Sequence, residues 1–342
     1  MFDSLAHLNT APVTLALGAL PLGLLLFRYL RPAPRLTQIP PTQERVLILG
    51  STSGVGRTLA HQYAKRGARI CLVGRRESML QEAAEECRKL CESDRVLCVR
   101  GDCASVEDMA KVRDAVIKEW GGIDTLIITA GVSALQPLMT VAGVTASKDG
   151  LSLPHATAEA TNRAVSVAKT AIHGNFFGPY VAAITFIPLL TSCSTSPSIL
   201  LLSSVAAIIP APTRTLYAST KSASLILFQA LAIEHPRISF VSFLPATIEG
   251  DFRASAVDTP PGSSPVIHEA DPNKHGLRRE VVATRCIQAI DRKEKTVLMP
   301  QYMRIGHILY WIWPAYVEWR ARVKYNFREN PLESSQMDKW TL

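Results

Sequence analysis

The segment VLILGSTSGVG, residues 46–56, joins a short apolar run to a glycine-rich turn. The apolar run has the length of one buried parallel strand, and a helix-forming stretch follows at 57–66. Glycines at such a turn let the backbone approach a pyrophosphate closely at the amino end of the helix. A second apolar run at 69–73 completes a βαβ unit, so the segment predicts a dinucleotide-binding site.

The same alternation of apolar strands and amphipathic helices continues to residue 300. The predicted strands are 46–49, 69–73, 96–99, 125–128, 199–202, 238–244 and 296–298. This pattern predicts one α/β domain, residues 45–300, built on a doubly wound parallel sheet of about seven strands, the Rossmann fold. Residues 132–160 are predicted to form a loop with short helical pieces, and residues 250–276 a mobile segment that covers a substrate.

The second strand ends in Gly74-Arg75-Arg76. An NAD site would require an acidic side chain here to bind the ribose hydroxyls, and the sequence has none at this point. Two guanidinium groups can instead bind a 2′-phosphate, so the pair predicts NADP(H). The alternative is a solvated charge pair at the start of a helix.

A second segment with candidate catalytic residues runs from residue 198 to residue 221, SILLLSSVAAIIPAPTRTLYASTK. Its apolar strand ends in Ser203-Ser204, and Tyr217 and Lys221 follow at i,i+4 spacing, which places them on one helix face. A serine at a strand end that faces a Tyr/Lys pair can serve proton transfer to a carbonyl oxygen. The alternative is an ordinary pair of surface side chains.

Together these features resemble the short-chain dehydrogenase/reductase family over residues 44–300, in a membrane-anchored, NADP-preferring form. Ser204 stands thirteen residues before Tyr217, the family spacing, and Tyr217 with Lys221 matches the Tyr-x-x-x-Lys pair. The resemblance implies that Asn175, Ser204, Tyr217 and Lys221 are catalytic. It implies a cofactor site formed by Gly50, Ser51, Ser53, Gly54, Val55, Gly56, Arg75, Arg76, Asp102, Thr129, Ala130, Gly131, Tyr217, Lys221, Pro245 and Ile248.

The chain departs from the family pattern at several places, including Leu49, where the family usually has Thr, and a longer stretch between Gly131 and Asn175. Thr129 stands where the family has the Asn that steadies the central strand. Ala246 follows Pro245 where a Gly is usual, and Gly250 stands where many members have a Thr near the nicotinamide. These departures concern nicotinamide placement and the shape of the substrate site.

The resemblance also implies a role for each catalytic side chain. Tyr217 acts as general acid in reduction and as base in oxidation, and the Lys221 ammonium lowers the phenol pKa from its usual value near 10. Lys221 also holds the nicotinamide ribose. Ser204 donates a hydrogen bond to the substrate oxygen, and Asn175 holds a water in the proton relay.

The amino-terminal part contains a charge-free run at 11–27 that is followed by three arginines, Arg28, Arg31 and Arg35. This order predicts that residues 1–31 are a signal anchor with the following domain facing the cytosol, in the endoplasmic reticulum membrane. The alternative is a buried core helix. Residues 32–44 are rich in proline and predict an extended linker.

The carboxyl-terminal part, residues 301–342, has a different composition. Residues 305–317 carry no formal charge, are rich in aromatic side chains and are flanked by basic ones. They predict either a segment at the membrane interface or a helix packed on the domain or on a dimer partner.

The formal net charge of +8 is distributed along the chain rather than concentrated in one block. Membrane headgroups and a phosphorylated cofactor are therefore the predicted anionic partners, and no nucleic-acid-binding motif is present. The seven cysteines are scattered without metal-ligand spacing, which predicts reduced thiols and no metal site.

The sequence thus predicts an NADP(H)-dependent oxidoreductase that interconverts a carbonyl and an alcohol on a lipophilic small molecule. By resemblance, the substrate is a steroid, a retinoid or a long-chain keto-lipid, and the chain forms a homodimer through the helices that bear Asn175 and Tyr217. Two alternatives remain open: the same chemistry on a soluble secondary metabolite, and a non-catalytic NADPH-binding scaffold.

Overall fold

Seven parallel strands form one sheet in the computed structural model, which describes residues 34–144, 155–259, 271–325 and 327. The strands are β1 Arg45–Leu49, β2 Arg69–Gly74, β3 Val96–Arg100, β4 Thr125–Ile128, β5 Ser198–Leu202, β6 Ser239–Pro245 and β7 Thr296–Met299. Their order across the sheet is β3-β2-β1-β4-β5-β6-β7. The predicted doubly wound Rossmann fold is confirmed.

Helices connect successive strands. They are α1 Arg35–Gln38, α2 Gly54–Lys65, α3 Glu77–Arg88, α4 Val106–Trp120, α5 Leu138–Val141, α6 Ala158–Ile172, α7 Gly178–Cys193, α8 Thr215–Glu234, α9 Pro272–His275, α10 Arg279–Asp291, α11 Met303–Ile312 and α12 Pro314–Lys324. A π-helical turn, His173–Phe177, joins α6 to α7 without a break.

The helices cover both faces of the sheet. Successive side chains of a strand point to opposite faces, so each strand contributes apolar side chains to a core on either side. Val46 and Ile48 pack in one core with Tyr63 of α2, to which α3 and α10 also contribute. Leu47 and Leu49 pack in the other core, under α4, α7 and α8. All four strand side chains are fully buried, which explains why residues 46–49 of β1 are all apolar rather than alternating.

The strand order reverses between β1 and β4. After β1 the chain adds β2 and β3 on one side of that strand, and it then crosses to add β4 on the other side. The loops that leave β1 and β4 therefore run in opposite directions and separate at the carboxyl ends of these strands. In open α/β sheets this crevice is the usual ligand site. It brings the turn at 50–56 next to residues 129–131.

The predicted extended linker at 32–44 is wrong for its described part, residues 34–44. Arg35 begins the short helix α1 and is fully buried. Its Nη1 lies 2.8 Å from Glu44 Oε1, and its Nε donates to the Ser196 carbonyl at 3.1 Å. The partners that bury Arg35 come from distant parts of the chain, so composition alone could not reveal them. The predicted anchor at 1–31 lies outside the described residues.

We expect Arg35→Met to lower the free energy of unfolding by about 3–5 kcal/mol, because it leaves the buried Glu44 carboxylate without its cation. Chemical denaturation of the full-length protein in detergent measures the change. The control is Arg113→Met, whose pair with Asp114 is exposed and whose loss should change stability by less than about 0.5 kcal/mol. Equal effects of the two substitutions would contradict the prediction.

Candidate active site

A cavity of about 1190 Å³ opens at the carboxyl edge of the sheet. Ser204, Tyr217 and Lys221 line it, while Asn175 is buried behind its wall. Of the predicted cofactor residues, Ser51 is the exception, since it is fully buried and its hydroxyl donates to the Val73 carbonyl at 3.1 Å. The others line the cavity: Gly50, Ser53, Gly54, Val55, Gly56, Arg75, Arg76, Asp102, Thr129, Ala130, Gly131, Tyr217, Lys221, Pro245 and Ile248.

The glycine-rich turn has no room for side chains at two positions. A Cβ on Gly56 would lie 2.1 Å from the Gly50 carbonyl oxygen, and a Cβ on Gly50 would lie 2.6 Å from the Ala130 nitrogen. Gly50 also has a φ of +92°, which favours glycine. The turn can therefore pack against β1 and β4 only because both residues are glycines.

The amino end of α2 faces the cavity at this turn. Ser53 is its N-cap residue and makes no side-chain capping hydrogen bond. The amide groups of the first helical turn lack intrahelical acceptors, and together with the helix dipole they favour an anion. The donor set and the glycine cradle therefore fit the diphosphate of a dinucleotide.

Thr129 performs the bracing task that the family assigns to an Asn. Its hydroxyl lies 2.9 Å from the Leu49 carbonyl oxygen and 3.2 Å from that of Gly50. A Cβ on Gly56 would lie only 2.6 Å from this hydroxyl. One side chain thus ties the end of β4 to the end of β1 and to the glycine turn.

Cations lie at the end of β2. The Arg76 guanidinium donates to Thr52 Oγ1 at 3.0 Å and to Ser53 Oγ at 3.1 Å, which holds it over the glycine turn. Arg75 is more exposed and lies 3.7 Å from the Asp102 carboxylate. Asp102 also accepts from the Ala104 amide, whereas Ser105 caps α4. Two guanidinium groups and two hydroxyls thus converge beside the turn.

The end of β5 and the first turns of α8 bring three predicted catalytic residues together. Ser204 and Tyr217 both line the cavity, and the Ser204 hydroxyl accepts from the Ala206 amide at 3.1 Å. Lys221 is buried, and its Nζ donates to the Leu202 carbonyl at 3.0 Å. The expected serine, phenol and ammonium therefore share one wall of the cavity.

The direction expected for the Tyr217 pKa is wrong in this structure. Burial raises the pKa of Tyr217 above its ordinary value, and the Ser204 hydrogen bond and the Arg214 charge only partly oppose the rise. Burial also lowers the pKa of Lys221 to about 8. For Tyr217, desolvation outweighs the Ser204 hydrogen bond and the Arg214 charge, so at neutral pH its side chain is a protonated phenol.

Asn175 lies in the π-helical turn and binds protein groups with its whole carboxamide. Its Nδ2 donates to the Val132 carbonyl and to Thr220 Oγ1, each at 3.0 Å, and its Oδ1 accepts from the Val132 amide at 2.8 Å. Thr220 in turn donates to the Tyr217 carbonyl at 2.9 Å. Asn175 therefore fixes the loop after β4 and the first turn of α8. Its role in holding a water stays a prediction.

Several site residues carried no sequence signal. Thr220 links Asn175 to α8, the Leu202 carbonyl holds Lys221, and the Phe252 ring packs edge-on against Tyr217 at 6.1 Å. Phe252 belongs to the segment predicted to cover the substrate. Residues 250–259 of that segment contact the loop after β4. For example, the Val257 amide donates to the Ser133 carbonyl at 3.0 Å. Each contact joins residues that are far apart in the sequence.

Comparison with known proteins identifies a family. The model of the short chain dehydrogenase family matches residues 44–260. An 11-beta-hydroxysteroid dehydrogenase A from Sesamum indicum is 28% identical over 295 residues, which cover 82% of this chain and 75% of that protein.

Two solved structures share the fold. A short chain dehydrogenase/reductase from Burkholderia phymatum in complex with NAD has a TM-score of 0.65 and 18% identity, covering 81% of this chain and 95% of that one. An alcohol dehydrogenase from Thermococcus sibiricus complexed with 5-hydroxy-NADP has a TM-score of 0.58 and 20% identity, covering 75% of this chain and 95% of that one. One neighbour holds NAD and the other an NADP derivative, so the fold by itself does not distinguish the two cofactors.

We expect Thr129→Val to lower the free energy of unfolding by about 1 kcal/mol, because it removes the hydroxyl that bonds the ends of β1 and β4. Thr129→Ser keeps that hydroxyl and serves as the matched control. Chemical denaturation of the full-length protein compares the two variants. A Val variant as stable as the Ser variant would show that the hydroxyl does not brace the glycine turn.

Proposed function

Because the chain belongs to the short chain dehydrogenase family, we propose that it is an NADP(H)-dependent oxidoreductase that interconverts a carbonyl and an alcohol on a lipophilic substrate. Membership makes the chain an oxidoreductase of a family that binds a nicotinamide cofactor and a small-molecule substrate. The observation that carries the proposal is that Ser204, Tyr217 and Lys221 line the same cavity as the glycine turn.

Each side chain of the proposed mechanism has a task that its surroundings support. Tyr217, kept protonated by burial, donates its phenolic proton to a substrate carbonyl oxygen, and in the opposite direction the phenolate accepts a proton from an alcohol. Ser204 donates a second hydrogen bond to that oxygen. Lys221 lies at the end of β5, where it would hold the ribose of the cofactor. The nicotinamide, when bound, supplies or accepts the hydride.

Preference for NADP(H) is supported by Arg75 and Arg76. A 2′-phosphate carries charge that guanidinium groups bind bidentately. Arg76 is already oriented over Thr52 and Ser53, so its side chain loses little further freedom when a phosphate binds beside it.

A lipophilic substrate is supported by the apolar part of the cavity lining. Apolar side chains from four parts of the chain contribute to it: Ile209, Ile248, Phe252, Leu309 and Val317. The Phe252 ring packs edge-on against Tyr217. The Sesamum indicum relative is named for a hydroxysteroid, which agrees with a rigid apolar alcohol or ketone. Steroid-like and long-chain lipid substrates form one class in this proposal, because either could pack against such an apolar lining.

We also propose that residues 1–31 anchor the protein in the endoplasmic reticulum membrane with the catalytic domain in the cytosol. The support is the charge-free run at 11–27 and the two arginines that follow it, Arg28 and Arg31. The described domain begins at residue 34, only seven residues after that run, so an anchor would hold the domain close to the bilayer.

A homodimer through α6, α7 and α8 is supported by exposed apolar side chains on these helices. Ile184, Ile226 and Ile233 are 60%, 63% and 82% exposed. Two stretches that include these helices, Ala158–Cys193 and Thr215–Glu234, are also long and apolar enough to cross a membrane. Their packing against the sheet favours a protein partner for the exposed side.

We expect Arg76→Ala to raise the Kd for NADPH by about 10- to 100-fold and to leave the Kd for NADH nearly unchanged, because only NADPH carries the 2′-phosphate. Calorimetry on the full-length protein in detergent measures both constants. Arg69→Ala is the matched control, since Arg69 is exposed at the start of β2. Equal losses of NADPH and NADH affinity would contradict the NADP preference.

The proposed chemistry is tested by measuring NADPH consumption with a panel of lipophilic ketones. We expect Tyr217→Phe to reduce turnover by at least about 100-fold while NADPH binding is kept, because only the phenolic oxygen is lost. Tyr180→Phe is the control, since Tyr180 is exposed on α7. Turnover retained in Tyr217→Phe would refute the mechanism, and tight NADPH binding without turnover by the natural protein would favour a scaffold.

A further inference from the structure

Helices α11 and α12 form a pair, here termed the C-terminal hairpin, that lies beyond the family match at 44–260. Its inner side is packed on the domain. A ring nitrogen of His307 lies 3.1 Å from the Ile208 carbonyl oxygen, and the Arg304 guanidinium donates to the Thr296 carbonyl at 3.1 Å. Leu309 and Val317 line the cavity. The hairpin is therefore a wall of the proposed substrate site.

The opposite side of the hairpin is an exposed apolar surface. Its bulky side chains recur along α11 and into the turn before α12, and the most exposed are Trp311 at 77% and Ile312 at 76%. This outer face consists of Ile308, Trp311, Ile312 and Trp313. Bulky apolar side chains exposed this close together in the chain indicate a docking surface.

The hairpin is also strongly basic. The hairpin carries Arg304, Arg320, Arg322 and Lys324 but a single carboxylate, Glu318. The Arg320 guanidinium lies over the Trp319 ring at 5.6 Å. Aromatic and aliphatic side chains beside arginine and lysine are the composition of helices that lie in the headgroup region of an anionic bilayer.

We propose that the outer face of the C-terminal hairpin docks on an anionic membrane surface, with Trp311 and Trp313 at the boundary between headgroups and acyl chains. A second copy of the chain is the weaker occupant, because a two-fold contact would bring the cations of one hairpin against those of the other. If the proposed function holds, docking places the substrate cavity next to the lipid in which a lipophilic substrate dissolves.

The test is tryptophan fluorescence of the full-length protein in vesicles of phosphatidylcholine and phosphatidylserine, with or without brominated acyl chains. The reporter protein keeps Trp311 and Trp313 and carries Phe at the other three tryptophans. The control protein keeps only Trp120, which ends α4 at the opposite edge of the sheet. We expect brominated lipid to quench most of the reporter emission and little of the control emission.

A second variant, Ile308→Asp/Ile312→Asp, alters the outer face without touching the cavity wall. We expect it to abolish quenching of the reporter while NADPH binding is unchanged, which separates this proposal from the proposed function. Unquenched emission at the wavelength of water-exposed tryptophan would overturn the proposal. So would emission that is shifted but unquenched and that depends on protein concentration, because it would identify a second copy as the occupant.

Discussion

The close approach of Gly56 to Gly50 is the constraint on which the site depends. With 2.1 Å between a Cβ on Gly56 and the Gly50 carbonyl oxygen, no other residue lets α2 start so near the sheet. That approach aims the amides of the first turn of α2 at the crevice between β1 and β4. The Thr129 hydroxyl occupies the space between the two glycines and bonds both strand ends. The dinucleotide cradle thus results from missing side chains and one well-placed hydroxyl.

The reactive groups are held by a second set of contacts on the other side of the crevice. Asn175 bonds the loop after β4 and, through Thr220, the first turn of α8. The Leu202 carbonyl holds Lys221. Because these partners belong to three separate elements, the relative positions of Ser204, Tyr217 and Lys221 follow from the sheet. The C-terminal hairpin then closes the cavity with an inner apolar side, while its outer face carries the exposed tryptophans.

Local patterns were sufficient where the determining interactions are local. Neighbouring residues determine strand β1, the glycine turn and the spacing of Tyr217 and Lys221. The structure has these features within a few residues of the predicted bounds. The errors arose where distant residues decide. Prolines suggested an extended segment before β1, yet Arg35 is buried by Glu44 and the Ser196 carbonyl. Attraction to Lys221 suggested a lowered Tyr217 pKa, yet desolvation raises it.

The sequence by itself determined the fold class, the family and which residue types meet at the carboxyl edge of the sheet, because strand periodicity and glycine spacing act through neighbouring residues. Only the tertiary structure decided how those residues are held. It gave the Thr129 hydroxyl the task of joining the ends of β1 and β4, removed Ser51 from the cavity and folded a charge-free stretch into two helices with an inner and an outer side. The physical reason is that burial, desolvation and hydrogen-bond partners are properties of packing, and packing joins residues that lie far apart in the chain.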